Sequence, residues 1–346
     1  MAIPFKSPVP KHTYNSTREK AAITRHFSKR TVPKSVNGRL LIASWNIANL
    51  GAQDRTPNAR KLVAHILKRF DLVAVQEVND EFRTFAKIVE MMGSKYKFIM
   101  SDTAGNNERL AFVYHTDKVT PTNLFGELAL RPREYPKRTV KVRWTDSNGV
   151  NRIDKFQNHR FVPFDRNPFI GSFSSGKFDF VLANVHLYFG EFQNSKKKED
   201  RKKYARRVLE IHALARWADR RKNKATTYDK DIILIGDMNV PAMEKTESTY
   251  KELVKYGWCP VDYTSKTGGS NLGNDRTYDQ MAFAPTIPKT RITAQGVFDF
   301  DKAAFKPLWE KLLSQMPKSK AIGLFNRHVK HHISDHRPLW VQLDIT

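Results

Sequence analysis

The stretch Ile333-Ser334-Asp335-His336-Arg337-Pro338-Leu339-Trp340 sets a carboxylate beside an imidazole just ahead of an apolar run, Leu339 to Leu343, that reads as a strand. A strand edge holds two adjacent side chains rigidly over a site. A metal-binding carboxylate beside a proton-transfer histidine is a useful pair for breaking a phosphodiester. Alone the pair says little, because Asp-His dipeptides are common in surface loops. Four further stretches pair an apolar run with polar residues at its C-terminal end. Leu40 to Trp45 ends in Asn46, and Asp71 to Val75 ends in Gln76 and Glu77. Phe178 to Val185 ends in His186, and Ile232 to Ile235 runs into Gly236-Asp237-Met238-Asn239. Strand ends converging on one crevice are where layered α/β proteins build sites. Singly, Asn46 reads as a turn former, Glu77 as a solvated helix start, His186 as a core histidine and Gly-Asp-Met-Asn as a turn. Together, five polar clusters at strand ends are hard to explain as turns.

Metal-assisted hydrolysis of a phosphodiester suits these residue types. Hard oxygen donors such as Glu77, Asp335 and Asn46 favour Mg²⁺, with Mn²⁺ or Ca²⁺ as alternatives. The sequence has no cysteine cluster for zinc. A divalent ion polarises phosphate and offsets charge growing on the transition state. Asp237 is placed to orient or deprotonate the attacking water, His186 and His336 to share base and acid roles, and Asn239 to hold a phosphoryl oxygen or the water.

An ordered set of motifs resembles the endonuclease/exonuclease/phosphatase superfamily, and within it the deoxyribonuclease I branch. The matching pieces are Ser44-Trp45-Asn46-Ile47, Val75-Gln76-Glu77-Val78, Glu108 to Tyr114, Phe164 to Phe169, Asn184-Val185-His186, Gly236 to Asn239, Tyr278-Asp279-Gln280 and Ser334-Asp335-His336. They run in the family's order over roughly residues 38 to 346, and Phe298-Asp299-Phe300 is similar to a further family stretch. The resemblance implies a four-layered α/β sandwich: two mostly antiparallel β-sheets packed face to face with helices outside. It implies Glu77 as the main metal ligand with Asn46 and Asp335 close to the ion. It implies that Glu108 orients His186, that Asp279 orients His336, and that Arg166 binds phosphate as a fork. Two departures turn the reading away from abasic-site repair: Ala48 stands where that branch usually has Asp, and His186 stands where it has no histidine. Secreted members carry disulfides, which this chain cannot form internally. Asn79 stands where some members put a groove-binding arginine.

The 346 residues hold 60 Lys and Arg against 35 Asp and Glu, a net charge of +25. That excess points to a polyanionic partner, nucleic acid and most directly double-stranded DNA. Lipid-head and inositol phosphatases do not need it. Cys259 is the single cysteine, which suits a reducing compartment. No apolar run has signal-peptide or membrane-span length, so cytoplasmic residence and no membrane partner are expected.

Residues 1 to 37 read as a basic flexible arm with a short helix near Glu19 to Phe27, and residues 38 to 346 as one domain. Asn58 to Phe70 and Phe82 to Met92 read as amphipathic helices, and Arg138 to Trp144 with Val150 to Phe156 as a hairpin outside the family pattern. The basic run from Lys196 to Arg207, including Lys197, Lys198 and Arg201, starts ten residues after His186. It is either a nucleic-acid contact or a solvated helix face. His328 to His332 reads as a basic loop with its histidines on the surface. The expected function is a divalent-metal-dependent DNA phosphodiesterase, an endonuclease of low sequence specificity. The alternatives are a hydrolase of RNA or another phosphate ester, or a non-enzymatic nucleic-acid-binding protein. A cytoplasmic nuclease endangers its own genome, so an inhibitor or activator protein is expected too.

Overall fold

The computed structural model of the protein describes residues 11–346 apart from 54, 191–194 and 265–267. The long apolar runs become central strands, because a strand buried on both faces has no use for polar alternation. In the first sheet, β1 (Arg39–Leu50), β2 (Leu72–Asn79), β3 (Tyr96–Met100) and β4 (Glu108–His115) combine with β13 (Ile292–Val297) and β14 (Leu339–Asp344) in the order β13-β14-β1-β2-β4-β3. The second sheet contains β5 (Thr120–Glu127), β8 (Phe169–Ser175), β9 (Phe178–His186), β10 (Ile232–Asp237), β11 (Cys259–Pro260) and β12 (Asp279–Phe283), ordered β11-β12-β10-β9-β8-β5. Among the described residues, β6 (Lys137–Thr145) and β7 (Asn151–Arg160) pair only with each other. Both large sheets are mostly antiparallel. The exceptions are β1 with β2 and β9 with β10, which run parallel. Parallel neighbours end at the same sheet edge. That places Asn46 beside Gln76 in one sheet and His186 beside Asp237 in the other.

Leu40, Ile42, Phe112, Leu182, Ile235 and Val341 pack between the sheets. The outer face of the first sheet is covered by α1 (Ser16–Lys29), α2 (Pro57–Leu67), α3 (Arg83–Met92), and two late helices, α6 (Lys306–Gln315) and α7 (Lys318–His332). α4 (Lys198–Lys222) and α5 (Ser248–Val254), with the β6–β7 ribbon, cover the second. This is the four-layered sandwich with helices outside. Local chemistry sets the helix starts: Thr56 accepts from the Ala59 N–H with Pro57 in the first turn, and Asn15 accepts from the Thr17 and Arg18 N–H groups.

Two stretches differ from the sequence reading. From Ser16 to Lys29 the expected arm is a docked helix, because Ile23 and Phe27 recur at helical spacing and both are buried. Phe27 stacks on Phe298 at 3.9 Å, and Glu19 accepts the Phe305 N–H at 2.8 Å. Burying two such side chains stabilises the docked helix by roughly 3–5 kcal/mol. Residues 1–10 lie outside the described residues. His328 to His332, expected as a surface loop, form the last turn of α7, with His328, His331 and His332 buried. His332 and His328 pack edge-on against Tyr14 and Phe305, an apolar use of imidazole that a charge count does not register.

Candidate active site

In the first sheet the site is made by two irregular strand ends. The β1–β2 register slips between Asn46 and Leu50, and the β2–β4 register slips between Val75 and Val78. Ala48, Asn49 and Glu77 lie in the left-handed region at φ of 47°, 51° and 60°. Such residues cost roughly 1–3 kcal/mol each and persist where the surroundings over-determine them. Here Asn46 Oδ1 accepts from the Ala48 N–H at 2.9 Å, and the Asn49 N–H donates to Glu77 Oε2 at 2.7 Å. Arg55 is fully enclosed and donates to the Ile47 and Ala48 carbonyls at 2.7 and 2.8 Å. Burial pushes its guanidinium down to about 10, against the pull of Glu77 and Asp335. Gln76 ties this edge to the second sheet: its Nε2 donates to Asn184 Oδ1 at 2.7 Å, and Asn184 Nδ2 donates to the Val75 and Ala111 carbonyls.

In the second sheet, His186, Asp237 and Asp279 stand in register across β9, β10 and β12. Gly236 permits that alignment. Its φ is 139°, and a Cβ there would lie 2.1 Å from the Val185 carbonyl oxygen. Asn239, at φ 53°, donates its amide to the Leu187 carbonyl at 2.8 Å, and its N–H donates to Asp237 Oδ1 at 3.0 Å. His336 arrives from the segment before β14. Trp45 Nε1 donates to the His336 carbonyl, and Ser334 Oγ donates to the Asn46 carbonyl while accepting the His336 N–H. Arg337 is buried on Asp301 in a two-point ion pair at 2.7 and 2.8 Å, and its N–H donates to the Ser270 carbonyl. The loop of residues 268–273, which contains Gly268, Gly269 and Gly273, is thereby bound to the His336 segment.

The result is two matched carboxylate–imidazole units around one carboxylate. His186 Nδ1 is 2.8 Å from Glu108 Oε2, and His336 Nδ1 is 2.9 Å from Asp279 Oδ2. Each remaining Nε2 lies 3.7 Å from Asp237 Oδ2, and His186 Nε2 is 3.8 Å from Glu77 Oε1. Asn46 Nδ2 bridges Glu77 Oε1 at 2.7 Å and Asp237 Oδ2 at 3.0 Å. Burial and the Arg166 charge push His186 down, but Glu108 and Asp237 outweigh them and hold its imidazolium above the usual range. Burial acts the same way on His336, and Asp279, Asp237 and Asp335 carry it well above. Burial pushes Asp237 up, yet the two imidazoliums and the Asn46 amide bring it below the ordinary aspartate value. Glu77, His186 and Asp237 offer ligand atoms within 4.8 Å of one another, as do Asp237, Asp279 and His336, so this acidic–histidine cluster can hold a metal ion.

Glu77, Asn46, Glu108, His186, Asp237, Asn239, Asp279 and His336 therefore come together. Some expected residues make contacts other than those anticipated. Asn46 turns its amide nitrogen, not its oxygen, to the carboxylates. Asp335 is engaged by Lys330 Nζ at 2.5 Å. Arg166, expected as a phosphate fork, is buried with Nε on the His186 carbonyl at 2.9 Å and a terminal nitrogen on the Leu187 carbonyl at 3.3 Å. It holds the main chain that carries His186. Arg201, expected on nucleic acid, is buried on Asp154 at 2.7 Å and lies 3.8 Å over the Trp144 ring. Lys196, Lys197 and Lys198 are exposed at the entry to α4. Sequence reasoning missed Arg55, quoted Asn184 in a motif without a role, and counted Arg207 only within the basic run, whereas its guanidinium donates to the Asn239 carbonyl at 2.7 Å. For Arg55 the signal was slight, an arginine just past a strand that carries a site residue.

No family model matches the chain. It is 26% identical over 325 residues to a deoxyribonuclease of Thioalkalivibrio sp. (strain K90mix), spanning 90% of this chain and 72% of that protein. It is 34% identical over 95 residues to deoxyribonuclease-1 of Oryctolagus cuniculus, which is 25% of this chain and 34% of that protein. Solved structures with a similar course include the human Nocturnin catalytic domain (TM-score 0.49, 13% identity, 90% of this chain and 96% of that one). An endonuclease/exonuclease/phosphatase family protein from Bacteroides thetaiotaomicron also aligns (TM-score 0.47, 17% identity, 88% and 94%). In sequence the chain is thus similar to proteins named as deoxyribonucleases. No helix among the described residues is long and apolar enough to cross a membrane.

Proposed function

We propose that the protein is a divalent-metal-dependent phosphodiesterase that hydrolyses DNA, an endonuclease of low sequence specificity. The observation that carries this reading is the pair of imidazoles, each with Nδ1 on its own carboxylate and both Nε2 atoms 3.7 Å from Asp237. A carboxylate on Nδ1 fixes the tautomer and stabilises the imidazolium, leaving Nε2 as the working atom. Two such atoms converging on one point suit a displacement at phosphorus that needs a proton removed from water and another supplied to the leaving oxygen. Asp237, kept ionised by its neighbours, orients the water. The Asn46 amide stabilises the close approach of Glu77 and Asp237. Arg166 and Arg207 fix the backbone that carries His186 and Asn239.

The donor set fits a hard cation, since Glu77 and Asp237 contribute carboxylate oxygens at one centre. Glu77 would hold it, with Asp237 beside it. Bound there, Mg²⁺ or Mn²⁺ supplies positive charge against the phosphate. Similarity to a curated deoxyribonuclease and the net charge of +25 support DNA as the substrate. The lone Cys259 supports a reducing, cytoplasmic setting, where an inhibitor or activator protein would restrain the enzyme.

Supercoiled plasmid, single-stranded RNA and a chromogenic phosphomonoester, each with Mg²⁺, Mn²⁺, Ca²⁺ or EDTA, test the reading. Metal-dependent nicking of plasmid is expected. Turnover confined to RNA or to the monoester would overturn it.

A further inference from the structure

The β6–β7 ribbon belongs to neither large sheet, and its two faces differ in kind. The inner face carries Val140, Val142, Trp144 and Phe156. It is fixed to α4 by Arg201, which lies on the Trp144 ring and bonds Asp154, and by Arg138 beside His212. A two-stranded hairpin is marginal by itself, and this packing keeps it folded. The outer face carries Lys137, Lys141 and Arg143 on β6 and Ile153 and Lys155 on β7, all exposed. Lys141 stands directly opposite Lys155, and Arg143 opposite Ile153, which is 52% exposed. Like charges directly across an antiparallel pair destabilise it.

Among the described residues, no carboxylate relieves that repulsion. The ribbon's acids are engaged elsewhere, Asp146 by Arg152 at 3.0 Å and Asp154 by Arg201 at 2.7 Å. Among the described residues, none of Lys137, Lys141, Arg143 and Lys155 forms an ion pair. The ribbon is tied through α4 to the segments that leave the active centre. Arg201, which holds Trp144 and Asp154, donates a terminal nitrogen to the Ser195 carbonyl at 2.6 Å, nine residues beyond His186. Further along α4, Arg207 holds the Asn239 carbonyl.

We propose that the outer face of the β6–β7 ribbon is a duplex-binding element, whose Lys141, Arg143 and Lys155 contact the phosphate backbone of double-stranded nucleic acid held across the active centre. This rests on the reading of the protein as a nuclease. A two-stranded ribbon has the width that the major groove of a duplex admits, and phosphates supply the counter-charge that the outer face lacks.

The test measures binding of the full chain to a labelled duplex in EDTA across a range of KCl concentrations, so that the ribbon is read without catalysis. The variant carries Lys141→Gln, Arg143→Gln and Lys155→Gln. A control with the same charge loss carries Lys311→Gln, Lys318→Gln and Lys320→Gln, all exposed on the far helices. The ribbon variant is expected to lower the slope of log affinity against log salt by about 3, with about tenfold or greater loss of affinity, while the control keeps the wild-type slope. A ribbon variant with the wild-type slope, or one indistinguishable from the control, overturns the proposal, as does a wild-type chain that binds no duplex. Wild-type binding with the expected loss in the ribbon variant, but no nicking in Mg²⁺ or Mn²⁺, would retain the ribbon and overturn the nuclease reading.

Discussion

Replacing Asn184 by leucine should damage both the sandwich and the centre it carries. Asn184 is fully buried between the sheets. It accepts from Gln76 Nε2 at 2.7 Å and donates to the carbonyls of Val75 and Ala111 at 3.1 and 3.0 Å. Leucine has nearly the same shape and removes all three bonds. Each net hydrogen bond contributes about 1 kcal/mol, and each buried partner left unsatisfied costs a further ~1–3 kcal/mol. Gln76 keeps bonds to Ser44 and the Ala74 carbonyl, so its loss is partial. Setting the leucine's apolar burial of ~1–2 kcal/mol against these terms leaves a destabilisation of roughly 3–8 kcal/mol. Urea unfolding followed by tryptophan fluorescence reads that as a lower midpoint at constant slope. Glu77, next to Gln76 and held at φ 60°, should lose its placement, so plasmid nicking should fall in the fraction that remains folded. A stability loss under about 1 kcal/mol with nicking unchanged would refute the reasoning, because it would mean that this buried network does not fix the two sheets.

Three further outcomes follow from named contacts. Burial lifts the Glu210 carboxyl to about 7, against the Tyr188 N–H and the Arg206 charge. Its contribution to stability is therefore complete below the unfolded pKa and lost as pH rises through 7, and Glu210→Gln should gain about 2 kcal/mol on the wild type between pH 5 and pH 8 in thermal unfolding. Burial, then His328 and His331, push His332 down to about 3, so stability present above the unfolded value of 6.5 is lost as pH falls. Between pH 7 and pH 4.5 that loss is about 2–3 kcal/mol, and acid unfolding curves of His332→Phe should flatten by that amount. Gly236→Ala would drive a Cβ into the Val185 carbonyl and separate β9 from β10; a melting temperature within a degree or two of the wild type would contradict that clash.

The strand ends were legible because their chemistry is local. An apolar run long enough to be a central strand announces where its last polar residue must sit, as with Asn46, His186 and Asp237. The β6–β7 hairpin was legible for the same reason, its turn residues lying between two alternating runs. The arginines were not. Whether Arg166 meets phosphate or a main-chain carbonyl depends on where Leu187 lies, and Arg201 looks like any other charge in a basic run until Trp144 and Asp154 fold under it. The histidines of α7 misled because imidazole was counted as polar, whereas His332 packs as a ring among rings. α1 was read short because its apolar stripe is only two large residues wide amid Lys and Arg.

The most direct test of the central claim, that His186 and His336 work as one unit around Asp237, is a double-mutant cycle in metal-supported plasmid nicking. His186→Ala and His336→Ala should each lower the rate by about 10²–10⁴-fold, and the double variant should be little slower than the worse single, because either loss already breaks the proton path. Independent losses that multiply, or either single variant nicking at the wild-type rate, would contradict it.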